Sequence, residues 1–246
     1  MTFNEEIKLN KEYGGFKMKW LNKLFRTTKL KENESKDGSL NQIQSSQITN
    51  GKGGYDANIF FEAARSGDTR IVEHQLSMGI DVDLVNDEGD TALGEASYYG
   101  KSNVVKLLLL KHANVEQKIR DSWTALMQAT GQGQVEVVKI LLENGANVNI
   151  KNSNGLTSLM SAASNGNVEI VRLLLTKGAN VNDIENSGRT ALMWASVEGF
   201  LEVVKLLVEK GANVAPKDNN FNRTALQWAM SNNHHEIANI LTQVGS

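Results

Sequence analysis

The chain contains no cysteine, and that absence excludes disulfides, thiolate metal centres and cysteine nucleophiles together. It fits a reducing compartment, and a cytoplasmic protein is the default expectation. No apolar run approaches the roughly 18 residues needed to cross a bilayer. The N-terminus also lacks the apolar stretch and small-residue cleavage site of a secretory signal. Charge of one sign is missing too: the formal net charge is −2 over 246 residues, which points neither to nucleic acid nor to an acidic partner. That balance hides an asymmetry. Residues 1–36 hold nine Lys/Arg against five Asp/Glu, a surplus of +4 that leaves −6 for the remainder.

The machinery of catalysis is scarce. There are four histidines, His74, His112, His234 and His235. The last two are adjacent, so on a helix they do not share a face and make a poor metal pair. No HExxH, P-loop or GxSxG motif occurs. Gly131-Gln132-Gly133 falls at a turn between helices, and Gly51-Lys52-Gly53-Gly54 reads as linker. No catalytic residue, metal ligand or cofactor is expected, and with no basic stripe recurring along the chain no nucleic-acid partner is expected either.

What is present is a period. Thr-Ala-Leu occurs at Thr91–Leu93, Thr124–Leu126, Thr190–Leu192 and Thr224–Leu226, with Thr-Ser-Leu at Thr157–Leu159; the steps are 33, 33, 33 and 34 residues. Stepping back another 33 from Ala96 and Gly100 reaches Ala63 and Gly67, so six units share the register. Each unit reads as two short helices and a turn. The Thr is an N-cap, its hydroxyl accepting from orphan N–H groups of the first turn. Leu126 and Ala129, or Leu192 and Ala195, then mark a buried stripe at i, i+3. Gly133, Gly166 and Gly199 close that helix. The second helix is apolar over most of its surface (Val137, Val138, Ile140, Leu141 and Leu142 in one unit), and neighbouring units must cover it. Segments such as Gly145–Asn149 end it, and polar turns such as Asn152–Gly155 predict a hairpin-like finger. Hydrophobic residues make up 40% of the chain, enough for such a core. The fold class is all-α, a solenoid of six helix-turn-helix units with projecting finger loops.

This pattern resembles the ankyrin repeat over residues 55–246, with units at about 55–86, 87–119, 120–152, 153–185, 186–219 and 220–246. The departures are mild. The proline usual at the first helical position is absent: Thr-Ala-Leu-Met stands at Thr124–Met127 and Thr190–Met193. Ser122 replaces a finger glycine and His112 a C-cap glycine, and both places are expected to be strained. The last finger, Pro216 to Arg223, carries one extra residue. In such stacks each unit contacts only its neighbours and terminal units need polar outer faces. Glu62, Arg65, Arg70, Glu73 and Gln75 suit the first unit. In the last, Ile237, Ile240, Leu241 and Val244 are expected to face the stack. The array reads as complete.

The resemblance implies a protein partner held by the finger tips and the open face of the first helices. Carried over unit by unit, the positions are Asp87, Glu88, Asp90, Tyr98 and Tyr99; then Arg120, Asp121, Trp123 and Gln132; then Ser153, Asn154, Leu156 and Asn165; then Asn186, Ser187, Arg189, Val197 and Glu198; and finally Phe221 and Arg223. Tyr98, Tyr99, Trp123, Leu156 and Phe221 are large apolar side chains where exposure is expected, and would form a discontinuous stripe. Aromatic residues of this kind anchor interfaces; the alternative is that they pack on neighbouring fingers. Trp194 and Trp228 occupy equivalent positions and are expected to pack on each other or on the next helix. Asp81, Asp83, Asp87, Glu88, Asp90 and Glu95 lie within fifteen residues, an acidic run suited to a basic surface or simply to solvent.

Residues 1–54 stand apart as a flexible N-terminal segment, with residues 31–54 a polar tether. Within it, residues 17–31 hold six cations and no acid, and Trp20, Leu21, Leu24 and Phe25 would share a helical face. The stretch 17–30 suits weak contact with an anionic membrane surface or a partner's groove, or serves as a plain tail. Met18 opens a sequence that looks like a bacterial N-terminus and is an alternative start. A monomer is expected.

Overall fold

The computed structural model describes residues 54–245; the N-terminal segment, with its basic stretch 17–30, lies outside them. The described residues form twelve α-helices in six consecutive pairs. Unit 1 pairs α1 (Ala57–Ser66) with α2 (Thr69–Ser77), and unit 2 pairs α3 (Ala92–Tyr98) with α4 (Ser102–Leu110). Unit 3 has α5 (Ala125–Gly131) and α6 (Val135–Glu143), and unit 4 has α7 (Ser158–Ser164) and α8 (Val168–Thr176). Unit 5 has α9 (Ala191–Glu198) and α10 (Leu201–Glu209), and unit 6 has α11 (Ala225–Ser231) and α12 (His235–Gly245). Among these residues no strand forms, and Val85 and Thr91 share a lone antiparallel bridge.

The predicted caps form. Thr91 accepts from Gly94 N–H at 3.0 Å, Thr157 from Met160 and Thr190 from Met193, each at 3.3 Å. Thr224 completes a reciprocal capping box with Gln227. Glycine at the turn between helices meets two demands at once. Gly166 and Gly199 have φ of 71° and 83°, and a Cβ there would lie 2.5 Å from the rings of Phe200 and His234 in the next unit. Beyond the turn, the second helices bury a leucine at one shared register position in five units: Leu108, Leu141, Leu174, Leu207 and Leu241 are at most 1% exposed. In unit 1 that position is Gln75. It does not serve a polar outer face; it is buried, and its Oε1 accepts from Asp56 N–H at 2.7 Å. Val244, expected to face the stack, is exposed, because the last turn of α12 has no helix beyond it among the described residues.

Two hydrogen-bonded rows couple the units. At the end of each second helix a side chain accepts from the next unit's backbone: Asp83 from Asn114, Glu116 from Asn147, Asn149 from Asn180 and Asn182 from Asn213, at 2.6–2.9 Å. The fingers pair in the same direction, Ser153 N–H on Asp121 O, Asn186 on Asn154 and Asn219 on Ser187. Each finger is closed by its own backbone bond, as from Asn152 N–H to Leu156 O at 3.0 Å; in the last, Asp218 reaches Arg223, one residue further, which accommodates the insertion.

The third finger departs from the others. Asn86, Asn152, Glu185 and Asp218 each accept finger N–H groups through their side chains. Ile119, at the same register, has no acceptor to offer. Ser122 at the glycine position has φ of 60°, and Asp121 before it 55°; His112, in place of the C-cap glycine, has 65°. Left-handed backbone costs a residue with a Cβ about 1 kcal/mol or more. Ser122→Gly and His112→Gly are each expected to raise stability by ~1 kcal/mol, measured as a shift in urea midpoint at unchanged slope. A loss of stability would show that these side chains offset their strain.

Candidate partner-binding face

The first helices pack on one another more closely than the second helices do, so the side carrying the first helices and fingers is the inner one. Side chains recur there at fixed register, which sets up rows across the units. One row, on the first helices, is Glu95, Gln128, Ser161, Trp194 and Trp228; a second, on the fingers, is Asp90, Trp123, Leu156, Arg189 and Arg223.

At unit 2 the inner side is acidic. Glu88, Asp90 and Glu95 bring carboxylate oxygens within 4.8 Å of one another. The buried Glu95 accepts from Arg65 Nη2 at 2.6 Å, and the same guanidinium reaches Glu88 at 3.2 Å and Glu62 at 3.1 Å. Those bonds, that to Glu95 foremost, hold the Arg65 pKa above its ordinary value. Asp90 is less well served: Arg120 approaches it at 3.4 Å and Gln128 Nε2 at 3.3 Å. Burial, then repulsion from Glu95, pushes its pKa up to about 6, against the pull of Arg120. The arrangement attracts cations and orients guanidinium groups. Asp87, Glu88, Arg120 and Asp121 are exposed, as expected from the sequence.

Of the five large apolar residues expected at the surface, Tyr99 alone is exposed, at 48%. Tyr98 is half-buried and meets Tyr99 edge-to-face at 5.0 Å between ring centroids. Trp123 is half-buried, standing over the small Gly131 of α5. Leu156 and Phe221 are half-buried and packed on the core, so the stripe is shorter than the sequence suggests. Gln132, Glu198 and Arg223 are half-buried.

Arg189 is the clear correction. Expected as an exposed finger residue, it is 3% exposed. Its guanidinium lies 4.9 Å from the ring centroid of Trp194 and 5.0 Å from that of Trp228, so the two indoles meet through the arginine rather than directly. Burial lowers its pKa, opposed by the negative charges of Asp218 and then Glu185. Asp218 is itself buried and accepts from Trp228 Nε1 at 2.7 Å and from Phe221 N–H at 2.7 Å. Arg223 stands over Trp228 at 4.9 Å and over Phe221 at 5.7 Å. This alternation of arginine and aromatic rings was not foreseen. Its signal was in the sequence: Arg189 and Arg223, like Trp194 and Trp228, are 34 residues apart.

Helix pairs at a fixed period, coupled only to their neighbours and offering one side of first helices and fingers, define a helical-repeat binding protein. The ankyrin-repeat profile, which spans three copies, matches residues 60–152 and 144–218. The chain belongs to the ankyrin-repeat family. Members of that family generally mediate protein–protein interaction and are typically not enzymes. A search of curated proteins returned no match. Among the described residues no helix is long and apolar enough to cross a membrane.

Proposed function

We propose that the array is a non-catalytic scaffold, adaptor or inhibitor that holds a protein partner against its fingers and first helices, with Tyr98, Tyr99 and Trp123 as anchors. The observation that supports this best is the edge-to-face Tyr98–Tyr99 pair, with Tyr99 open to solvent directly after the acidic cluster. An aromatic body for burial next to charge for steering is the composition of a binding surface. Asp87, Glu88 and Asp90 flank it on the acidic side and Arg120, Asp121 and Gln132 on the third unit.

The test is partner capture from cells of the native source, identification, and titration of the identified partner. Replacing Tyr98, Tyr99 and Trp123 by alanine is expected to weaken binding by on the order of a hundredfold while the thermal midpoint moves by a few degrees at most. Loss of folding in step with binding would make the three residues structural and sink the proposal. A second reading, in which residues 17–30 anchor the chain to an anionic membrane surface and the repeats hold cargo, rests on five cations and the face of Trp20, Leu21, Leu24 and Phe25 in the sequence alone.

A further inference from the structure

The first-helix row carries an anomaly that internal packing does not explain. Its two ends are satisfied: Glu95 by Arg65, and Trp228 Nε1 by Asp218. The three positions between them are not. Gln128 Oε1, Ser161 Oγ and Trp194 Nε1 are shielded from solvent and have no hydrogen-bond partner among the described residues. Ser161 and Trp194 are only 4% and 8% exposed. Buried polar atoms are almost always paired, and each orphan carries a desolvation cost. Three orphans at one register position in three consecutive units form a line, and a ligand laid along that line would serve all three.

The atoms also specify what the ligand offers. Gln128 Oε1 accepts only; the other end of that amide is committed to Asp90. Trp194 Nε1 donates only, while Ser161 does either. The surroundings differ from end to end, although Arg65 and Arg120 pair with the carboxylates of unit 2 and Asp218 and Glu185 act on Arg189. Gln128 adjoins the carboxylates of unit 2, whereas Trp194 lies against the Arg189 guanidinium, with Arg223 one unit beyond. Arg223 lies over Trp228 and Phe221, and its N–H groups suit a planar anion.

We infer that Gln128, Ser161 and Trp194 form the floor of a groove that takes an extended peptide of the partner in one direction, with a lysine or arginine over units 2 and 3 and a carboxylate over units 5 and 6. The inference rests on the proposed partner-binding role and adds to it a location, a chemistry and a polarity. Ser161 and Trp194 are buried in the free chain, so the side chains over them shift as the peptide enters.

The probe is a displayed library of random twelve-residue peptides panned against the full chain, followed by calorimetric titration of enriched members. Enriched peptides are expected to carry basic and acidic residues in a fixed order, and reversing that order is expected to abolish binding. Ser161→Ala removes an orphan atom with little change of volume, so the free variant should melt at or above the wild-type temperature, and both it and Trp194→Phe, which also loses indole packing on Arg189, should bind about tenfold more weakly. The Trp194 indole proton, assigned by its loss in Trp194→Phe, should move downfield when peptide binds. If free Ser161→Ala is instead destabilised and both variants bind peptide as tightly as wild type, the three atoms belong to an internal hydrated network and the inference is overturned. A library yielding no binder, or binders without charge order, overturns it too. Peptides that respond to Tyr98→Ala and Tyr99→Ala but not to Ser161→Ala or Trp194→Phe would leave the proposed function standing and remove this refinement alone.

Discussion

Replacing Arg189 by alanine is expected to lower the stability of the array by about 2–5 kcal/mol, the range for truncating a large buried side chain to alanine. The guanidinium lies against both Trp194 and Trp228, and among charged groups Asp218, a carboxylate 2% exposed, acts on it most strongly. Alanine would leave a gap against two indoles and remove a positive charge that acts on Asp218, which keeps its hydrogen bonds from Trp228, Phe221 and Asn220. Arg223→Ala is the matched control. It occupies the same register and stacks on the same Trp228 ring, but it is half-buried, so its loss is expected to cost about 1 kcal/mol or less. Urea denaturation followed by far-ultraviolet circular dichroism and by indole fluorescence measures both. Near-native stability in Arg189→Ala, together with lost partner capture, would return this residue to the binding surface where sequence reasoning put it.

The second large effect tests how the units are coupled. Leu141 and Leu241 are chemically identical, at the same register, and buried to 0% and 1% exposure. Truncating either to alanine removes about 2–5 kcal/mol of packing. In a stack where each unit touches only its neighbours, the consequences should nonetheless differ. Leu141 lies in α6 of unit 3, between units 2 and 4, so Leu141→Ala should lower the main transition or divide it in two. Leu241 lies in α12 of unit 6, so Leu241→Ala should release that unit in an early, separate step sensed by Trp228 fluorescence while most helical signal persists. Identical single transitions for both variants would contradict nearest-neighbour coupling.

Much of the fold was legible before any coordinates, because the features that specify it are local and repeat. A threonine hydroxyl caps its own helix, and a glycine supplies positive φ at its own turn, so residue types at a 33-residue step suffice to place six helix pairs. The departures were legible for the same reason: Ser122 and His112 do hold left-handed backbone. The binding face was less so. Gln75 reads as a surface residue until Asp56, 19 positions away, is seen to donate to it. Leu156 and Phe221 read as exposed until the neighbouring finger and helix are set beside them.

What the sequence by itself determined was therefore the period, the caps, the turns and the family, all consequences of interactions within one unit. The tertiary structure alone decided which finger residues meet solvent. Arg189 and Arg223 show why: they share register and chemistry, yet Arg189 has a tryptophan from its own unit and another from the next to close over it, whereas Arg223 has no further unit beside it among the described residues. Burial in a stack is conferred by the neighbour, and a single unit's sequence does not carry it.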